Sequence, residues 1–190
     1  MDFREFRERV MRAIGTTERL NALRYDDQDA IRATWSELTG RPVDETFHLI
    51  PPVYSDHGIN IRLGRNVFVN QGCRFNDIGG IEIGDDVMIG PGVSLISSGH
   101  PVDPSSRRSG ITAAPITIEG NVWIGAGAMI LQGVTVGENS VIGAGAVVTH
   151  NIPSATLAVG SPARIIRTLH QPNPHTPAEA AAGAVPEPVQ

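Results

Sequence analysis

The feature that most constrains this chain is a six-residue rhythm. Aliphatic residues recur at Ile118, Ile124, Ile130, Val136, Ile142 and Val148, and a second series four places on runs Val122, Ala128, Val134, Ser140, Ala146 and Ile152. The same rhythm appears earlier at Leu63, Val69 and Phe75, slips by two residues, and resumes at Ile83, Ile89 and Leu95, with Val67, Cys73, Val87 and Val93 at the i+4 places. A period of six with glycine often just after the aliphatic residue is the pattern of a parallel β-helix, in which each hexad makes a short strand and a turn. Its coils stack at the interstrand spacing of about 4.8 Å, so every backbone group inside the column finds a partner above and below.

Composition agrees. Only 5% of the residues are aromatic while 21 of 190 are glycine, which suits narrow packing of small and aliphatic side chains. A length of 190 residues allows one main domain. The repeat occupies residues 51–160, after Pro51-Pro52, and residues 1–50 read as helical. Phe3, Phe6, Val10, Met11 and Ile14 share a helical face over residues 3–14. A second helix carries Ile31, Trp35 and Leu38, with Asp26 or Asp27 as its cap and Gly40 and Pro42 as its stop. Solenoid ends need covers; the first helices suit one end, and a C-terminal helix over 161–170, centred on Ser161 to Leu169, is expected at the other. Residues 171–190 carry five prolines and no apolar period, and read as a disordered tail without chemistry.

Several function classes recede on these grounds. A net charge of −5 argues against a nucleic-acid partner. The single cysteine, Cys73, allows no intrachain disulfide and falls at an inward place where it acts as a small hydrophobe. The first residues lack the apolar run of a signal peptide, and no window is long and apolar enough for a membrane span, so a cytoplasmic protein is expected. Gly125-Ala126-Gly127 and Gly143-Ala144-Gly145 resemble pieces of a dinucleotide loop, but hexad turns already account for them.

Residues 96–116 break the rhythm. They include SSGHPVDPSSRR, with a lone histidine, His100, in a segment that should project from the column. Function concentrates in such ordered excursions from rigid scaffolds. A neutral imidazole suits removal of a hydroxyl proton near pH 7; the bland alternative is a surface-loop histidine. Asp77 lies in the two-residue slip, where a side chain can be re-aimed toward a substrate.

The stretches PPVYSDHGINIRLG, NVFVNQGC, GHPVDPSSRR, PITIEGNVWIG, SVIGAGAVVTHNIP and GSPARIIR, spread over about residues 50–168, give a family resemblance. The chain resembles the maltose, galactoside and nodulation sugar O-acetyltransferases of the hexapeptide-repeat acyltransferases. That resemblance implies a left-handed β-helix, a homotrimer with active sites between subunits, and direct acetyl transfer from acetyl-CoA, as co-substrate, to a hydroxyl. It implies His100 as general base, no protein nucleophile and no metal. It places Asn70 and Asp56 at the acceptor, and Ala126, Ala144 and Thr149 along the coenzyme slot with Trp123 flanking it. Arg164 and Arg167 fall at phosphate-contacting places, and His150 stands where relatives often carry lysine. Further departures are Ala126 for a serine, so that any oxyanion help must come from its backbone N–H, Glu119 for a glycine, and the lack of a Gly-x-x-Tyr segment followed by Asp that contributes to the acceptor pocket in relatives. Amine acetylation on an amino sugar or antibiotic, a γ-carbonic-anhydrase-like site built from histidines, and a non-catalytic assembly module are the competing readings.

Overall fold

The computed structural model describes residues 3–169. Two helices precede the column: α1 (Phe3–Asn21) and α2 (Gln28–Thr39). Asp27 caps α2 by accepting from the Ala30 amide at 3.2 Å, and Gly40 ends it in the left-handed conformation, φ 68°. Ile31, Trp35 and Leu38 are buried as the spacing requires, and Trp35 packs on Phe47 and Phe75 to plug the first coil.

α1 differs from the sequence expectation. It continues beyond Ile14 to Asn21, and its buried residues are Ala13, Thr16, Thr17 and Leu20, while Met11 and Ile14 are 60% and 40% exposed. The Thr17 hydroxyl donates back to the Ala13 and Ile14 carbonyls at 3.0 and 2.8 Å, so its polar atom is satisfied inside the helix.

The column has three faces, of seven, five and four strands. Within the coils all pairing is parallel and keeps a constant register, as in Trp123 between Met88 and Val141. Every member of the Ile118 to Val148 series is buried, and so is every member of the Val122 to Ile152 series. Ser140, the one polar member, donates to the Pro153 carbonyl and accepts from the Thr156 amide, which explains how a hydroxyl is tolerated there. Coils approach closely at the turns. A Cβ on Gly125 would stand 2.6 Å from the Ala144 nitrogen, so the stacking requires glycine at that place.

The expected C-terminal helix is absent. Residues Arg164–Thr168 form a strand that runs antiparallel to Thr156–Val159 and closes the seven-stranded face. The top coil presents unpaired backbone groups, and pairing with them outweighs the helical tendency of the Ala-Arg stretch, helped by β-branched Ile165 and Ile166. The Val147 carbonyl is covered by the Ala163 amide, and the Ala155 carbonyl by the Leu169 amide, so this segment is the cover that the helix was expected to be. The tail proposed for 171–190 and the last position of the expected helix, 170, lie outside the described residues.

Candidate active site

The strand order fixes where each candidate residue stands. One edge of the column joins the seven-stranded face to the five-stranded face and holds Asn70, Ala126 and Ala144. The next edge joins the five-stranded to the four-stranded face and holds Asp56, Asp77, the whole excursion with His100, and Thr149 with His150. The five-stranded face lies between them, and its outer row runs Tyr54, Arg74, Ser94, Met129, Val147. Within one chain, therefore, His100 is not brought together with the Ala126 and Ala144 turns.

The excursion is built as an arm. Ser98–Gly99 pairs antiparallel with Thr112–Ala113 at its base, and Gln132 reaches Thr112 from the next coil at 3.4 Å. At the tip the Asp103 carboxylate accepts from the Ser105 amide and hydroxyl, and Arg107 donates to the Val102 carbonyl. Val102 nonetheless leaves 90% of its surface bare. His100 follows directly after the base strand and is exposed. Its Nδ1 lies 3.1 Å from the Gly110 carbonyl, an acceptor, so in the neutral ring that nitrogen carries the proton and Nε2 holds the lone pair.

Asp77 is fully buried, which is not the re-aimed, substrate-facing place that the slip suggested. Its Oδ1 accepts from the Ser55 hydroxyl and from the His57 and Gly58 amides at 2.9 to 3.0 Å, and Oδ2 accepts from the Asn60 amide at 3.1 Å. The two added residues of the slip thus make room for a carboxylate that ties down the 55–60 turn of the coil below. Asp56 rides on that turn, half-buried, accepting from Asn76 Nδ2 at 3.0 Å and the Asp77 amide at 2.8 Å. Burial pushes the Asp56 carboxyl up to about 6, the adjacent Asp77 adds to the rise, and the bond from Asn76 opposes it.

His57, which the sequence left without a role, belongs to the same knot. It is stacked on Phe6 of α1, and its Nδ1 accepts from Asn60 Nδ2 at 3.0 Å. Its Nε2 is buried without a partner among the described residues. Burial holds this imidazole below its ordinary pKa; Arg9 and Arg12 push the same way and Asp77 opposes them. The SDHG string gave no hint of this, because the contacts come from α1 and from a coil twenty residues on.

On the other edge Asn70 accepts from the Gln71 amide at 2.8 Å, and Nδ2 makes no bond among the described residues. The left-handed residue of that turn is Gly72, not Asn70. Cys73, just beyond, donates to the Gly90 carbonyl at 3.3 Å and burial raises its thiol to about 11, so it is inert near neutrality. Ala126 and Ala144 are exposed on successive coils, with the Gly145 amide bonded to the Ala126 carbonyl. Thr149 and His150 are exposed and hydrogen-bonded to each other at 2.8 Å. Trp123 projects outward, half-exposed, on the seven-stranded face.

A bulge aligns the two arginines. Regular alternation would put Arg164 and Arg167 on opposite faces of their strand. The register shift leaves Arg164 opposite Val159 and Arg167 opposite Leu157, two positions that share a face, so both arginines stand on the outer side. Arg167 continues the row Trp123, Val141, Leu157.

Comparison with known proteins agrees with this architecture. Residues 115–150 match the bacterial transferase hexapeptide (six repeats) family. A Schizosaccharomyces pombe protein is 53% identical over 120 residues, which is 63% of this chain and 58% of that relative, so the chain spans under two thirds of its length. Among solved structures, a maltose O-acetyltransferase from Clostridium difficile 630 superposes with a TM-score of 0.84 at 38% identity, over 88% of this chain and 89% of that one. A galactoside acetyltransferase in complex with coenzyme A superposes at 0.79 and 35% identity, over 90% and 86%. This chain belongs to the hexapeptide-repeat acetyltransferase family and shares its left-handed β-helix.

Proposed function

We propose that this protein transfers the acetyl group of acetyl-CoA directly to a hydroxyl of a sugar or related small acceptor, as a homotrimer whose active sites lie between subunits. The observation that carries the proposal is the orientation of His100. With Nδ1–H held by the Gly110 carbonyl, Nε2 is the ring nitrogen left to act as a base on an exposed histidine at the foot of a projecting arm.

In the proposed step, His100 Nε2 takes the acceptor's hydroxyl proton as its oxygen attacks the thioester carbonyl. The tetrahedral oxyanion then collapses, the C–S bond breaks, and the coenzyme thiolate leaves, taking the proton from the imidazolium. No protein nucleophile is needed, consistent with the inert thiol of Cys73. Asp56 and Asn70 bind the acceptor; Ala126, Ala144 and Thr149 line the coenzyme slot beside Trp123; and Arg164, Arg167 and His150 meet its phosphates. The outward alignment of the two arginines supports this assignment, as does the coenzyme in the galactoside acetyltransferase complex.

The separation of the two edges within one chain supports the reading of a site shared between subunits. His100 and the Ala126–Ala144 wall are separated by the width of the five-stranded face, so a base from one subunit meets the slot of a neighbour when two columns stand side by side. Asp77 supports the acceptor site through the turn it fastens, without touching the acceptor.

The test is thiol release from acetyl-CoA over a panel of sugars and glycosides. His100→Ala should remain trimeric and lose about two to four orders of magnitude in turnover, the range of a general base. Unimpaired turnover in that variant would refute the assignment.

A further inference from the structure

His57 is a buried titratable group that the proposed chemistry leaves unused. Only 3% of it is exposed, and it joins α1 to the turn that Asp77 fastens. Phe6 stacks on its ring, with the two centroids 6.0 Å apart. Asn60 Nδ2 donates to Nδ1 at 3.0 Å, so the neutral ring carries its hydrogen on Nε2, which finds no partner among the described residues.

A second proton does not fit this seat. On Nδ1 it would face the Asn60 amide donor, and turning that amide over would set its oxygen against the Ile78 carbonyl, now 3.4 Å from Nδ2. The hydrogen on Nε2 would still lack an acceptor. Arg9 and Arg12 face the ring from α1, Asp77 faces it from the slip, and Asp56 is the other titratable group of the turn. Burial and both arginines oppose a charge on the ring. Asp77 favours one, but its oxygens already accept from the Ser55 hydroxyl and from the His57, Gly58 and Asn60 amides. Attraction of a charged ring to Phe6 is at its outer reach at this separation, and it supplies no acceptor for either N–H.

The part of α1 that rests on this ring is held lightly. The buried residues of the helix, Ala13, Thr16, Thr17 and Leu20, lie further on, and Asn21 anchors that end through two 2.8 Å bonds with the Val53 backbone. Val10 and Ile14 border an open space of about 410 Å³ between α1 and the five-stranded face, whose wall includes Tyr54, Asp56 and Phe75. Beside the stack on Phe6, Arg12 ties the first half to the end of α2, donating to the Glu37 and Leu38 carbonyls at 3.0 and 3.2 Å.

We propose that His57 is a proton-released latch: neutral, it seats the first half of α1 on the column; protonated, it leaves the stack with Phe6 and frees that half of the helix, opening the space beside Asp56. The latch does not depend on the acetyl-transfer reading. Because the fold favours the uncharged ring, this contribution to stability is full above the ordinary histidine value of 6.5 and is lost as pH falls below it. Asp56 has the opposite sign, since burial favours its protonated, low-pH form, so it cannot account for loosening in acid.

The test is hydrogen exchange of the full chain at pH 7.5 and 5.5, read as protection factors so that the intrinsic pH dependence of exchange divides out. Amides of residues 7–14 should lose about tenfold in protection at the lower pH, relative to those of α2, since linkage to one proton allows up to about tenfold per pH unit. In His57→Phe, which keeps a ring against Phe6 and takes up no proton, the two pH values should give equal protection. Asp56→Asn should retain the loss seen in wild type. Phe6→Ala removes the stack from a half-buried helix position without altering the column, and should leave residues 7–14 weakly protected at both pH values. Equal protection of wild type at the two pH values overturns the latch. So does an undiminished loss in acid in His57→Phe or, where that variant does not fold, in Phe6→Ala.

Discussion

Asp56 and Asp77 hold each other in place: the Asp77 amide donates to Asp56 Oδ1 at 2.8 Å, while the Asp77 carboxylate fastens the turn on which Asp56 sits. One carboxyl lines the open space between α1 and the five-stranded face, and the other is spent in the scaffold. This division sets two expectations.

Asp77→Ala would leave the Ser55 hydroxyl and three backbone amides without their acceptor. Each orphaned buried donor costs about 1–3 kcal/mol, so a loss of roughly 3 kcal/mol or more is expected in urea unfolding. Asp77→Asn should cost less and keep turnover, with a raised KM for the acceptor and an unchanged KM for acetyl-CoA. Equal effects on both KM values would contradict a purely positioning role.

Asp56 titrates near 6 in the folded chain, against 3.8 for a free carboxyl. The fold therefore favours its neutral form, and the stability this gives is full below about 4 and is lost as pH rises through 6. Because the group keeps contact with water, the loss is about 1–2 kcal/mol, less than the whole shift implies. Unfolding of Asp56→Asn compared with wild type at pH 4 and pH 7 should show the variant gaining by that amount at the higher pH. A constant difference would mean that Asp56 is already ionised at pH 4.

Gly125→Ala tests the stacking of coils. The added carbon would meet the Ala144 nitrogen at 2.6 Å and the Ile142 carbonyl at 2.9 Å, and backbone on both sides leaves no flexible atom to give way. A loss of about 1–3 kcal/mol is expected, as for other overpacked sites. Gly110→Ala, with open space around the Cβ, is the control and should change stability little.

Arg164→Glu and Arg167→Glu should each raise the KM for acetyl-CoA about tenfold, the scale of one charge-assisted contact. The acceptor KM should hold, and added salt should affect the variants less than wild type. Both side chains are exposed, so thermal unfolding should scarcely move.

Much of this architecture is legible because a repeat states one instruction many times. Ile118, Ile124 and Ile130 could be assigned inward by their spacing alone, since each coil repeats the geometry of the last. The excursion that carries His100 is legible for the complementary reason, as the place where the instruction stops. The ends were harder. Residues 161–169 have no neighbour of their own kind to copy, and what decides their shape is the open edge of the coil beneath, which local sequence does not encode. The same holds for α1, whose buried side is chosen by the coil it lies on, so that Met11 faces outward and Ile14 is only partly covered against their hydrophobicity. Asp77 stands out in the sequence for its slip, but its role is set by donors from Ser55 to Asn60, about twenty residues earlier, which the local string does not show.

The reversed strand Arg164–Thr168 has a consequence for assembly in the lengthwise direction. A column of parallel coils is a template on which further copies could add end to end, as in a growing filament. Here the final rung runs against the others and carries two like charges outward, while α2 seals the opposite mouth with Trp35. Among the described residues, neither pole offers a bare parallel rung for another copy to extend.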